Sequence, residues 1–275
     1  MTQNTKAKAA VIGQPVGHSK SPLIHNYWIE KHGIDASYEA IDIAPENLEK
    51  ELIRLVDEGY AGFNVTRPHK EKVFAVCDSL DELAQAVGAV NTVTIKNGKM
   101  NGTNTDVFGF TENIKATRPA FDFKAGPAVV LGAGGAARAV IYALLKEGVP
   151  EVRVVNRTKN KAQTLARDFK RLRVHDWEKR SEVFAESNLL VNTTSMGQSG
   201  QPKLELDLTA LPKNAVVNDI VYAPLMTDLL RDCEDRGNQI VTGIGMLLHQ
   251  ARPAFEAWFG VLPDVDAELE KRVLA

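Results

Sequence analysis

Apolar residues recur along this chain in two rhythms: short continuous or alternating runs that predict strands, and positions three or four apart that predict helices. Ala9-Ala10-Val11-Ile12-Gly13 is a short apolar run bounded by glycine and proline, which predicts a strand. A helix follows over Leu23 to His32, with Ser21 suited to its N-cap, Pro22 to its first position and Gly33 to its far end. Ser37 to Ile43 alternates as a half-buried strand, and Pro45 opens a helix whose Leu48, Leu52, Ile53 and Val56 share one face. Gly62-Phe63-Asn64-Val65-Thr66 predicts the next strand, Arg67-Pro68-His69-Lys70 a loop, and the residues through Ala86 a further helical region. Two strands then flank Asn97-Gly98, a strong hairpin signal.

Asp106 to Thr117 predicts a helix, and Arg118 to Pro127, with two prolines, a connection into a second region. There Val129-Val130-Leu131 runs as a buried strand through Gly132-Ala133-Gly134-Gly135-Ala136 into a helix. Glu151 to Val155, Leu189 to Asn192, Ala215 to Asn218 and Gln239 to Thr242 supply further strands. Strands alternating with helices in this way predict a parallel sheet covered on both faces. Met246 to Phe259 has leucines and aromatics at helical spacing, but its pattern does not say which region it packs against. The chain shows no fixed-period repeat and no low-complexity segment.

At 275 residues the chain is long enough for two domains, each with its own core. A net charge of -2 with 25% charged residues leaves no basic footprint for nucleic acid. Cys77 and Cys233 lie far apart and the six histidines are scattered, so neither a disulfide framework nor a metal site is expected. Met1 to Lys8 is polar and no later segment reaches membrane-spanning length, so a cytoplasmic protein without membrane association is expected.

The glycine turn carries the first chemistry. Gly132 and Gly134 permit a tight turn and a close backbone approach to a pyrophosphate, while Ala137 fills the third small position of the dinucleotide fingerprint. The helix that follows starts with backbone N–H groups that can face phosphate oxygens. An NAD-binding chain carries an acidic residue roughly 20 residues past the glycines. Here Asn156, Arg157, Thr158, Lys159 and Lys161 follow the second strand instead, a set suited to a 2′-phosphate and hence to NADP. A plain helix start with scattered basic residues is the competing reading.

Polar residues also crowd the strand ends of the first region. Ser19 and Ser21 can both face a carboxylate, or Ser21 can simply cap a helix. Asn64, Thr66 and Lys70 follow the third strand, Asn91 a later one, and Asp106 opens a helix that it can also cap. A lysine and an aspartate sharing a site can pass a proton to or from a substrate oxygen, so Lys70 and Asp106 are the candidate catalytic pair. A solvated surface lysine is the alternative for Lys70.

Seven blocks in order, Gly-His-Ser19-Lys-Ser21-Pro, Asn64-Val-Thr66-Arg-Pro-His-Lys70, Gly-Ala-Val-Asn91-Thr, Asn-Thr-Asp106, Gly132-Ala-Gly-Gly-Ala, Asn156-Arg-Thr and Gly243-Ile-Gly-Met-Leu-Leu-His-Gln250, resemble the shikimate dehydrogenase family over nearly the whole chain. The resemblance implies an α/β substrate domain over residues 1–108, rejoined by C-terminal helices over 246–275, and a Rossmann-like parallel-sheet NADP domain over 109–245, with a cleft between them. It implies NADPH-dependent reduction of 3-dehydroshikimate to shikimate, on the route to aromatic amino acids, by a monomer or homodimer. Ser19 and Ser21 would hold the substrate carboxylate; Asn64, Thr66, Asn91, Asp106, Tyr222 and Gln250 would surround the ring hydroxyls; Lys70 would move the proton. Gly132, Ala133, Gly134, Gly135 and Ala136 would face the pyrophosphate, Asn156, Arg157, Thr158 and Lys161 the ribose phosphate, and Ile220 and Gly243 the nicotinamide end. Arg67 and Ile220 depart from the family pattern, and the role of Glu82 stays open. A quinate/shikimate dehydrogenase of broader substrate and cofactor use, and a noncatalytic NADP-binding sensor, are the competing readings.

Overall fold

The computed structural model describes residues 6–275, so the reading of the polar opening lies, at residues 1–5, outside the described part. The chain divides into two compact units, one formed by residues up to Thr105 together with Leu248–Ala275, the other by Asp106–Leu247.

The first unit holds β1 (Ala7–Gly13), α1 (Ser21–Lys31), β2 (Ala36–Asp42), α2 (Leu48–Asp57), β3 (Gly62–Val65), α3 (Lys70–Val76), β4 (Ser79–Leu80), α4 (Glu82–Val87), β5 (Thr92–Lys96) and β6 (Lys99–Thr103). Its sheet runs β2-β1-β3-β5-β6-β4. β1 is parallel to both β2 and β3, while β5 runs antiparallel to β3 and β6. The hairpin turn places Asn97 and Gly98 at φ 53° and 73°, the paired positive values that a two-residue turn of this hand requires.

Three local expectations are corrected. Ser21 is the first residue of α1 rather than its cap: Lys20 stands at the N-cap without a side-chain bond, and the Ser19 hydroxyl accepts from the Ser21 N–H at 3.2 Å. A short 3-10 turn, Pro45–Asn47, precedes α2, whose buried face is Leu48, Leu52 and Leu55, with Ile53 63% exposed. At about 100° per residue Ile53 points roughly 140° away from Leu48, off the packed stripe. The helical region through Ala86 is two helices interrupted by β4, because Asp81 caps α4 by accepting from the Ala84 N–H at 2.7 Å.

The second unit holds α5 (Asp106–Thr117), β7 (Ala128–Leu131), α6 (Gly135–Lys146), β8 (Val152–Val155), α7 (Lys159–Asp168), β9 (Leu172–His175), β10 (Leu189–Asn192), β11 (Val216–Asp219), α8 (Asp228–Asp235) and β12 (Gln239–Val241). All neighbours in its sheet are parallel, in the order β12-β11-β10-β7-β8-β9. Counted within the unit that is 3-2-1-4-5-6 read from the β9 edge, the doubly wound order of dinucleotide-binding sheets. β9 escapes the apolar pattern because it is a half-exposed edge strand carrying Arg173 and His175.

α9 (Gly243–Phe259) starts in the second unit and continues in the first, followed by α10 (Ala267–Leu274). Polar ties hold this tail within the first unit. Trp258 donates to the Val93 carbonyl at 2.9 Å, Trp28 to the Asp264 carbonyl at 3.1 Å, and Asp266 accepts from Tyr27 at 2.8 Å and Lys31 at 2.5 Å while capping α10. Gly62 makes the Trp258 contact possible, since a Cβ there would collide with the indole and with the Val93 carbonyl. Each unit has its own core: Ile12, Leu52, Leu55 and Phe63 in the first, Leu131, Phe184, Leu190 and Leu230 in the second.

Candidate functional site

In the first unit, β1 and β3 are sheet neighbours whose connections leave in opposite directions, which makes their carboxyl ends a topological switch point. Ser19 and Ser21 follow β1; Thr66 and Lys70 follow β3. Gly13 lets the two ends approach, because a Cβ there would strike the Thr66 side chain and come within 3.0 Å of the Arg67 carbonyl. Lys70 opens α3, half-buried, and its carbonyl accepts from the Val90 N–H at 3.1 Å. The preceding loop is pinned by His69, fully buried, whose Nε2 lies 2.8 Å from the Ile43 carbonyl oxygen.

Behind these ends runs a buried polar network. Tyr38 Oη donates to Asn64 Oδ1 at 2.6 Å, and Asn64 Nδ2 donates to Thr92 Oγ1 at 3.0 Å and the Asn91 carbonyl at 3.3 Å. Asn91 Oδ1 accepts from the Thr105 N–H at 2.7 Å, and Asn91 Nδ2 donates to Thr105 Oγ1 at 3.0 Å and Gln250 Oε1 at 3.4 Å. Residues 159 positions apart in sequence are thus joined. Both amide hydrogens of Asn64 are taken by protein acceptors, which leaves only acceptor capacity on Oδ1 for a further group. Sequence reading missed Tyr38, Thr92 and Thr105. For Tyr38 a signal existed, since it sits on the inward phase of an alternating strand, where a phenolic hydroxyl needs a partner.

The second unit supplies a different set. Its switch point lies between β7 and β10. Gly132, at φ +117°, makes the turn, and a Cβ there would run into Thr193. Gly134 takes the N-cap position of α6 without a side-chain cap, and a Cβ on it would meet nothing within 4 Å, so this backbone is open to an approaching group. Ala133, Gly135 and Ala136 complete the turn half-buried, and Ala137, at 0% exposure, lets α6 sit close on the strand. After β8, Asn156 Nδ2 donates to the Thr158 carbonyl at 2.8 Å and shapes the loop. Arg157, Thr158 and Lys161 are exposed, and neither Arg157 nor Lys161 has an ion-pair partner among the described residues. Lys159 pairs with Asp176 at 2.6 Å, which also holds that carboxyl below its ordinary value. No carboxylate lies in the loop from Asn156 to Thr158. These residues fit a nucleotide bearing a 2′-phosphate.

On the other side of the switch point, Asp219 ends β11 fully buried and accepts from Asn192 Nδ2 at 3.0 Å, the Val221 N–H at 3.0 Å and Thr227 Oγ1 at 2.8 Å. Asn192 Oδ1 in turn accepts from the Thr194 N–H at 3.0 Å, and Thr193 closes on the Leu131 carbonyl at 2.7 Å beside Gly132. One network therefore fixes the loops after β7, β10 and β11. Burial pushes the Asp219 carboxyl up to about 6, against the pull of its three donors. Ile220 follows it, and Gly243 must lack a side chain because a Cβ would lie 2.5 Å from the Ile220 carbonyl. Asp106 is buried at the first residue of α5, and Tyr222 is half-buried in the loop after β11. Glu82 is exposed in the first turn of α4.

Three family models match successive parts of the chain. The shikimate dehydrogenase substrate-binding domain matches residues 11–93, shikimate/quinate 5-dehydrogenase residues 115–205, and the shikimate 5′-dehydrogenase C-terminal domain residues 243–267. A shikimate dehydrogenase (NADP(+)) of Paramagnetospirillum magneticum is 52% identical over 269 residues, covering 97% of this chain and 98% of that protein. The chain belongs to the shikimate dehydrogenase family. A shikimate 5-dehydrogenase of Thermus thermophilus, solved in complex with NADP(H) and shikimate, superposes with a TM-score of 0.88 at 40% identity, covering 98% of this chain and 100% of that one. A quinate dehydrogenase of Corynebacterium glutamicum in complex with NAD superposes with 0.89 at 32% identity, covering 98% and 99%. A relative solved with NADP(H) and one solved with NAD thus share this architecture. Among the described residues no helix is long and apolar enough to cross a membrane, and no cluster of three metal-ligating side chains occurs.

Proposed function

We propose that the chain catalyses the reversible NADP-linked interconversion of shikimate and 3-dehydroshikimate. The observation that carries this reading is the loop after β8, where Arg157 and Lys161 stand exposed and no carboxylate awaits a ribose hydroxyl, on a chain matching NADP-dependent relatives over nearly its full length.

When bound, the nicotinamide accepts or returns a hydride. Lys70 takes the hydroxyl proton as shikimate is oxidised and gives it back to the carbonyl oxygen in reduction, where its positive charge also stabilises charge growing on oxygen. Ser19 and Ser21 hold the carboxylate; Thr66, Asn91, Asp106, Tyr222 and Gln250 receive the ring hydroxyls, with Asp106 accepting a hydrogen bond. Gly132 to Ala136 hold the pyrophosphate, Asn156, Arg157, Thr158 and Lys161 the ribose phosphate, and Ile220 and Gly243 border the nicotinamide. Cys77 and Cys233 are both unbridged, which suits work in the reducing cytoplasm.

Initial rates with shikimate and quinate, each offered NADP and NAD, test the assignment. Shikimate with NADP is expected to be the fastest pair; equal or faster turnover of quinate with NAD overturns it in favour of the quinate branch. Lys70→Ala is expected to lose about a hundredfold or more in kcat while still binding shikimate. Unchanged turnover removes Lys70 from the chemistry.

A further inference from the structure

Thr92 opens β5, 0% exposed, outside the residues assigned above to the substrate. β3 pairs with β5 in a register that sets Asn64 opposite Thr92, so the two side chains stand on the same face of the sheet. They meet directly, Asn64 Nδ2 donating to Thr92 Oγ1 at 3.0 Å. Thr92 Oγ1 in turn donates to Asn91 Oδ1 at 3.0 Å and lies 3.2 Å from Thr105 Oγ1. One buried hydroxyl therefore joins the side chains of two residues of the substrate set.

Hydrogen directions follow from what each atom can do. Asn64 Nδ2 also faces the Asn91 main-chain carbonyl at 3.3 Å, which only accepts, so this end of Asn64 is the nitrogen and donates to Thr92. Asn91 Oδ1 faces the Thr105 N–H at 2.7 Å, which only donates, so this end of Asn91 is the oxygen and takes the Thr92 hydrogen. The Asn91 amide nitrogen is thereby turned the other way, toward Thr105 Oγ1 at 3.0 Å and Gln250 Oε1 at 3.4 Å. The longer of these two bonds carries the hydrogen that a substrate hydroxyl oxygen takes up most readily. Without the Thr92 hydroxyl, Asn91 Oδ1 loses a donor and an Asn64 amide hydrogen loses its acceptor, so both amides lose a constraint on their rotation. We infer that Thr92 is a substrate-positioning residue, its hydroxyl holding the Asn91 amide with the nitrogen presented to a ring hydroxyl and the oxygen turned away. This rests on the reading of Asn91 as a ligand of the ring hydroxyls.

Thr92→Val keeps the branched shape and deletes the hydroxyl, whereas Thr92→Ser keeps the hydroxyl and deletes the methyl. Thr92→Val is expected to raise the KM and calorimetric Kd for shikimate about tenfold, with kcat lowered less than about threefold and the KM for NADP within about twofold of wild type. Thr92→Ser is expected to stay within about threefold of wild type on each measure, since the bond to Asn91 survives. In an Asn91→Ala background Thr92→Val is expected to cost about twofold or less, because its effect passes through that amide. If Thr92→Val does not fold, Thr92→Ala set against Thr92→Ser reads the hydroxyl by the same measures. Unchanged shikimate affinity without the hydroxyl, equal rises in both KM values, a loss in Thr92→Ser as large as in Thr92→Val, or purely multiplicative effects of Thr92→Val and Asn91→Ala overturn the inference. The functional reading fails separately: wild-type protein that neither binds nor oxidises shikimate removes both, whereas an active wild type beside an unaffected Thr92→Val removes only the role of Thr92.

Discussion

Asp219 sits at 0% exposure with its carboxyl pushed up to about 6 by burial, from an ordinary value of 3.8. The folded chain therefore keeps a proton that the unfolded chain releases between these values, so stability falls as pH rises from about 4 to about 6 and levels off above. The interval corresponds to roughly 3 kcal/mol. Denaturant midpoints of wild type and Asp219→Asn across that range are expected to diverge with this slope; parallel curves refute it. Arg157 gives a second test at this scale. Arg157→Ala is expected to raise the KM for NADP by about tenfold to a hundredfold and leave that for NAD unchanged, because a charge-assisted bond to the extra phosphate is lost. Gly132→Ala places a Cβ at φ +117° and against Thr193, so it is expected to cost about 1–3 kcal/mol of stability, read as a lower melting temperature, and to weaken NADP binding.

Among elements, α10 depends on its first residues. Asp266 caps it through the Leu269 N–H at 2.8 Å and also receives Tyr27 and Lys31, the latter being the main reason that its carboxyl is lowered to about 2. The contribution is present above about pH 4 and is lost as pH falls through 2, since the folded carboxylate resists the proton that the unfolded one takes up. The ion pair is largely exposed and adds little. Asp266→Ala is nevertheless expected to cost about 1 kcal/mol through the lost cap, with faster amide exchange confined to α10. Edge elements show a different dependence: β4 and β9 exist because a neighbouring strand offers them hydrogen bonds, β6 to the one and β8 to the other.

Along the chain, one continuous unit interrupts another that is completed only after it. Asp106–Leu247 is uninterrupted, whereas the first unit needs Leu248–Ala275 to complete it. Phe255 is fully buried against Trp28 and His25, and Trp258 closes on the Val93 carbonyl. A chain ending at Leu247 is expected to lose exchange protection in β1 to β6 and to keep it in β7 to β12. Uniform protection after truncation would show that the first unit stands without its tail.

Periodicity and local chemistry determined much of this protein directly from the sequence. The glycine turn, the Asn97-Gly98 hairpin and the alternation predicting a parallel second sheet depend on backbone rules that act within a few residues. The basic loop after β8 belongs to the same class, apart from Lys159, whose partner Asp176 is supplied by a different segment. Tertiary structure alone decided the rest. Ser21 is the first residue of α1 rather than its cap, and the Asn64 side chain is tied to Tyr38, Asn91 and Thr92 from other segments. Asp219 acquired its raised pKa from burial at the carboxyl end of an inner strand where three loops converge. Hydrogen-bond saturation and desolvation depend on what the fold brings within about 3 Å, and spacing along a chain carries no record of that.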